Sequence, residues 1–199
     1  MSSEALVVID VQNDFCPGGA LAVTDGDAII PLVNRLISRF EHVVLTQDWH
    51  PAGHSSFAST HPGKNPFETV TMPYGVQTLW PDHCIQGTGG AEFHPELEWT
   101  KAEIVIRKGF RVGIDSYSAF FENDHATPTG LAGYLRERGI GKITLCGLAT
   151  DFCVAFSAID AVKSGFETDV VLDACRGIDL GGSMAMMTDK MKTAGVTLL

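Results

Sequence analysis

The chain has 199 residues, 45% of them hydrophobic, which is enough for one substantial core and too little for two ordinary domains. Charged residues make up 19% and the formal net charge is -10, so no basic face is available to neutralise a phosphate backbone and nucleic acid is not an expected partner. The acidic start Met1-Ser2-Ser3-Glu4 and the short apolar run Leu6 to Ile9 suit neither a signal peptide nor a membrane span, so a cytoplasmic protein without membrane attachment is expected.

The first apolar run, Ala5 to Ile9, predicts a buried parallel strand, and similar runs recur at His42 to Thr46, Glu103 to Ile106, Lys142 to Cys146, Thr168 to Leu172 and Val196 to Leu199. Amphipathic stretches of helical length separate them at Asp27 to Phe40, Pro128 to Arg138, Asp151 to Lys163 and Ser183 to Lys192. Thr127 is placed to cap a helix opening at Pro128, and Gly139 and Gly165 suit left-handed helix exits. The alternation predicts an α/β fold: an open, doubly wound parallel sheet of about six strands with helices on both faces. One segment breaks the rhythm. Gln47 to Thr100 is rich in Gly, Pro and His, has little periodicity, and reads as a functional insertion within a single domain spanning residues 1–199.

Sites in such folds form beyond the carboxyl ends of the strands. The residues past four predicted strand ends are Asp10, Asp48-Trp49-His50, Lys108 and the segment Gly147 to Cys153, so an acid, a metal-ligand cluster, a base and a thiol converge on one edge. No Walker loop is present and no G-x-G-x-x-G follows a strand, which removes the main support for a nucleotide fold.

Five cysteines are spread along the chain without a C-x-x-C pair, so neither disulfides nor a zinc ribbon are expected. Cys16, Cys84, Cys146 and Cys175 read as core filler. Cys153 differs because it sits in a turn that opens a helix, near the positive end of its dipole. Taking a thiol from mostly protonated to mostly ionised at neutral pH needs roughly 2.7 kcal/mol. A helix terminus supplies about 0.3 to 1 kcal/mol, up to about 2 when partly buried, so a further cation is needed. Lys108 can supply it, and Asp10 can accept the thiol proton and return it to a leaving amine.

Asp48 and His50 are two apart and face the same way in extended chain. His54 follows closely and His83 arrives from Trp80-Pro81-Asp82-His83-Cys84. One carboxylate with two or three imidazoles suits a divalent zinc, iron or manganese ion. By spacing alone the same histidines read equally well as surface polar groups.

The turn Gly147-Leu148-Ala149-Thr150-Asp151-Phe152-Cys153, the stretch Val8-Ile9-Asp10-Val11-Gln12-Asn13-Asp14-Phe15 and the pair Lys108-Gly109 together resemble the nicotinamidase/isochorismatase-like cysteine hydrolases. That resemblance implies an Asp10, Lys108, Cys153 triad. It further implies an oxyanion hole from the backbone N–H groups of Ala149 and Cys153, with a cis peptide at Leu148-Ala149. Asp48 to Phe57 and Trp80 to Gly89 are similar to the metal-site stretches of the nicotinamide-hydrolysing branch. The likeness implies Asp48, His50 and His83 as metal ligands, with His54 as a direct or water-mediated fourth. It also implies Phe15 and Trp80 as walls for a flat ring, with Tyr117 closing the pocket.

The expected activity is hydrolysis of nicotinamide to nicotinic acid and ammonia through a cysteine thioester, as part of NAD salvage. Asp151 is either a support for a ligating histidine or a helix N-cap. The alternatives are a related amidase acting on another small amide, and a catalytically silent metal-binding module. Homo-oligomerisation stays open.

Overall fold

Among residues 4–199, which the computed structural model describes, strands run at β1 (Glu4–Ile9), β2 (His42–Asp48), β3 (Thr69–Met72), β4 (Gly75–Thr78), β5 (Ile104–Lys108), β6 (Lys142–Leu148), β7 (Glu167–Arg176) and β8 (Thr197–Leu198). Helices α1 (Ile30–Arg39), α2 (Leu131–Glu137), α3 (Ala155–Lys163) and α4 (Ser183–Ala194) alternate with them. Six strands form one parallel sheet in the order β5-β2-β1-β6-β7-β8, with helices on both faces. None of the helices is long and apolar enough to cross a membrane.

The central strands are continuous apolar runs because both of their faces are covered. Ala5, Leu6, Val7, Val8 and Ile9 are all buried, as are Val43, Val44 and Leu45 beside them. Each buried Leu, Val or Ile side chain among them contributes about 1.5 to 3 kcal/mol by leaving water. Helix α1 turns Ile30, Val33 and Ile37 inward, a spacing of three and four residues that lays one apolar stripe on the sheet.

From β1 the chain adds strands outward to β2 and β5, then returns to place β6 on the other side of β1 and continues to β7 and β8. The order of addition reverses between β1 and β6, and the crevice beyond the carboxyl ends of these two strands is where such sheets hold ligands. Only glycine fits at Gly147, near the end of β6, because a Cβ there would lie 2.1 Å from the Ile9 carbonyl oxygen and the residue has φ +122. The close approach brings the ends of β1 and β6 together.

Two local expectations need correction. Helix α2 begins at Leu131 behind Gly130, not at Pro128. Thr127 donates its hydroxyl to Asp124 instead of capping a helix, and Pro128 pairs across to Phe121 in an isolated bridge. Second, the insertion contains an antiparallel hairpin, β3 with β4, in which β3 alternates between exposed and half-buried positions and β4 buries only Gln77 fully. It carries no long apolar run of the kind that marked the main sheet.

Candidate active site

Strand register assembles the chemistry. Asp48 lies opposite Lys108 across the β2–β5 pair, and Ile9 lies opposite Gly147 across β1–β6, which sets Asp10 against the turn that carries Cys153. Lys108 is fully buried, and its Nζ lies 2.7 Å from Asp10 Oδ2, 3.4 Å from Cys153 Sγ and 3.1 Å from the Ser116 carbonyl, to which it donates. It also pairs with Asp48 Oδ1. Asp10 is oriented by Thr46, whose hydroxyl donates to Oδ1 at 2.6 Å. Asp10, Asp48 and Cys153 each offer a polar atom within 4.8 Å of the others.

The electrostatics differ from the expectation of a resting thiolate. Burial pushes the Cys153 thiol well above the ordinary thiol range; Lys108 opposes this, while Asp10 and Asp48 add to it. Burial likewise raises Asp10 despite the ammonium beside it. Burial would raise Asp48 too, but Lys108 and His50 outweigh it and hold that carboxyl well below the usual range. Burial works against the charge on Lys108, yet Asp10 and Asp48 keep it protonated far above the usual ammonium range. One ammonium serves two carboxylates, so too little of its field is left to ionise the thiol. Burial also raises the other four thiols, Cys16 to about 11 and Cys175 to about 12. Cys153 is therefore set apart by its neighbours and by the cavity it faces, not by resting acidity.

The insertion folds back over the strand ends. His50 N–H donates to the Cys84 carbonyl, Gln86 N–H donates to the His50 carbonyl, and Trp80 N–H donates to the Ser56 carbonyl. Gln12 clamps the end of β2, accepting the Asp48 N–H and donating to the Asp48 carbonyl. His83 is thereby brought to Asp48. The Nδ1 of His50 lies 2.9 Å from the Gly109 carbonyl and that of His83 lies 2.8 Å from the Pro81 carbonyl, so each Nδ1 carries the proton. The two Nε2 atoms are left facing Asp48 Oδ2 at 3.6 and 3.7 Å. Those separations are long for hydrogen bonds and suit two donors of one ion, each about 2.1 Å from it. Asp48, His50 and His83 fit a divalent cation. His54 is engaged elsewhere: Nδ1 contacts Ser56, and Nε2 lies 2.9 Å from the Arg111 carbonyl and 3.2 Å from that of Ile114.

Phe15, Trp80 and Tyr117 line a cavity together with Asp48, His50, His83, Ala149 and Cys153. Trp80 Nε1 donates to the Tyr117 hydroxyl at 3.2 Å, and Trp80 stands edge-on to Phe152 at 4.8 Å. Sequence reasoning missed Leu21, Asp115, Phe152 and Ile178, which also line the cavity. Phe152 had a signal, being adjacent to Cys153; the other three reach the cavity through long-range folding. Asp151 neither supports a histidine nor caps a helix. Its carboxylate accepts the N–H groups of Ile178 and Asp179 at 2.9 and 2.8 Å and the Ser183 hydroxyl, which ties down the loop that brings Ile178 to the cavity. The Leu148-Ala149 peptide is cis.

An arrangement of thiol, carboxylate and ammonium beside an aromatic cavity with a metal-ligand set can carry out acyl transfer on a small planar amide. Residues 4–199 match the isochorismatase domain model. A nicotinamidase of Acinetobacter baylyi is 56% identical over 192 residues, covering 96% of this chain and 90% of that protein. Among solved structures, the Acinetobacter baumannii nicotinamidase/pyrazinamidase superposes with a TM-score of 0.99 at 60% identity, covering 100% of this chain and 96% of that one. An L. infantum protein in complex with nicotinate gives 0.86 at 40%, covering 100% and 92%. The Pyrococcus horikoshii pyrazinamidase in complex with zinc gives 0.80 at 38%, covering 99% and 98%.

Proposed function

This chain belongs to the isochorismatase domain family, and we propose that it hydrolyses nicotinamide to nicotinic acid and ammonia through a thioester on Cys153. The observation that carries the reading is the contact of one buried ammonium, Lys108, with Asp10, Asp48 and Cys153 at the floor of an aromatic cavity. Likeness to nicotinamidases and to a nicotinate complex names the substrate.

Trp80, Phe15 and Tyr117 hold the ring, and the cavity presents its carboxamide to Cys153. Cys153 Sγ adds to the carboxamide carbon as its proton passes to Asp10, which burial already inclines towards the acid form. Lys108 stays charged and offsets the negative charge as it moves between the two. The backbone N–H groups of Ala149 and Cys153 receive the oxyanion. Asp10 then gives its proton to the nitrogen, the C–N bond breaks and ammonia leaves. A water that surrenders a proton to Asp10 attacks the thioester; nicotinic acid departs and the thiol regains its proton. Asp48, His50 and His83 would hold a divalent ion, zinc by likeness to the Pyrococcus protein, which would supply a Lewis-acidic position for the ring nitrogen.

The test is to incubate the purified protein with nicotinamide and measure ammonia and nicotinic acid together. Equal release of both, abolished by Cys153→Ala, is the expected result. Release of ammonia from aliphatic amides but not from nicotinamide would favour the alternative amidase.

A further inference from the structure

Asp115 is a buried carboxylate that this mechanism does not use. It lines the same cavity as Asp48, His50, His83 and Cys153. Its Oδ1 accepts the Ser116 N–H at 2.8 Å and its Oδ2 accepts Gln77 Nε2 at 2.9 Å, and both donors are neutral. Among the described residues, no Lys, Arg or His nitrogen stands within ion-pair distance of it. One of its oxygens lies within 4.8 Å of ring nitrogens on both His50 and His54.

A carboxylate out of water needs either a cation or a proton. The two nearest imidazoles have their nitrogens committed to other partners. His54 has its two nitrogens engaged with Ser56 and with the Arg111 and Ile114 carbonyls. His50 spends one nitrogen on Gly109 and turns the other to Asp48. The wider balance is also uneven. Asp10, Asp48 and Asp115 are three buried carboxyl groups, and the Lys108 ammonium reaches only the first two.

We infer that Asp115 holds the cation of this site from outside its ligand set, by charge and by accepting a hydrogen bond from the ion's hydration. Asp115 is then a positioning residue for the metal, and Gln77, on β4, fixes its carboxylate; this gives the hairpin of the insertion a role at the site. Hydrogen-bonding groups just outside a ligand set commonly govern metal affinity by ten- to a hundred-fold. The inference rests on the reading of Asp48, His50 and His83 as a metal site.

The test measures the Zn2+ dissociation constant of the metal-free protein by competition with a chromophoric chelator, together with the thermal midpoint of the metal-free form. Asp115→Asn and Asp115→Ala are expected to weaken Zn2+ binding by about ten- to a hundred-fold. The metal-free midpoint of Asp115→Asn should be equal to or higher than that of the parent chain, because this substitution removes a buried carboxylate that has no cation beside it and keeps an oxygen to accept Gln77. A purely structural carboxylate moves the readouts the other way, with a lower metal-free midpoint, or no folding, and unchanged Zn2+ affinity. Either of those results overturns the inference while leaving the metal site intact. Failure of the parent chain to bind Zn2+ would overturn the metal reading itself.

Discussion

Lys108 has to satisfy Asp10, Asp48 and Cys153 at once, and the chemistry of the site follows from that competition. Burial holds the thiol well above its ordinary range, and under the proposed mechanism the nucleophile is formed during attack as its proton moves to Asp10. Lys108 is the cation that opposes the rise of the thiol, so Lys108→Met should raise it further. In metal-free protein the rate of Cys153 alkylation at fixed pH should then fall, and its pH profile should move to higher pH; an unmoved profile would deny Lys108 this role. Cys153→Ala should remove turnover and leave the thermal midpoint within about a degree or two, since a thiol packs little differently from a methyl group. That Asp10, Lys108 and Cys153 share one edge was legible in the sequence because each lies at or just past the end of a recognisable strand. The second claim of Asp48 on Lys108 was not, because it depends on the β2–β5 register.

The main strands could be read directly, since the central ones are buried on both faces and largely apolar, and Gly139 and Gly165 marked helix ends through their positive φ. The hairpin β3–β4 could not be read, because two four-residue strands that bury only Gln77 fully leave no period long enough to detect. Nor did Asp151 reveal its work, which is to hold a loop from a distant part of the chain. Asp151→Ala should leave the Ile178 and Asp179 N–H groups and the Ser183 hydroxyl without their acceptor, at about 1 to 3 kcal/mol for a buried donor. The expected outcome is a lower thermal midpoint with a raised KM for nicotinamide and a smaller change in kcat, because Ile178 lines the cavity. Gly109 ties another loop to the site: at φ +65, a Cβ there would lie 2.4 Å from the His50 ring. Gly109→Ala should displace His50 and lower metal content, as elemental analysis would show.

Across the whole molecule, the long insertion supplies what the sheet lacks, carrying Trp80 and His83 back over the strand ends to join residues placed there by β1, β2, β5 and β6. His83→Ala should therefore lower metal content and weaken nicotinamide binding while leaving Cys153 alkylation near that of the parent chain, because Asp10, Lys108 and the turn are untouched. Full metal occupancy with unaltered nicotinamide affinity would detach His83 from the site. The thioester itself is open to the most direct measurement. Turnover of nicotinamide should be quenched in acid and the digested protein analysed by mass spectrometry. A nicotinoyl group on the peptide bearing Cys153 is the predicted result, and rapid turnover with that peptide unmodified, or with the group on the Cys84 peptide instead, would contradict the account.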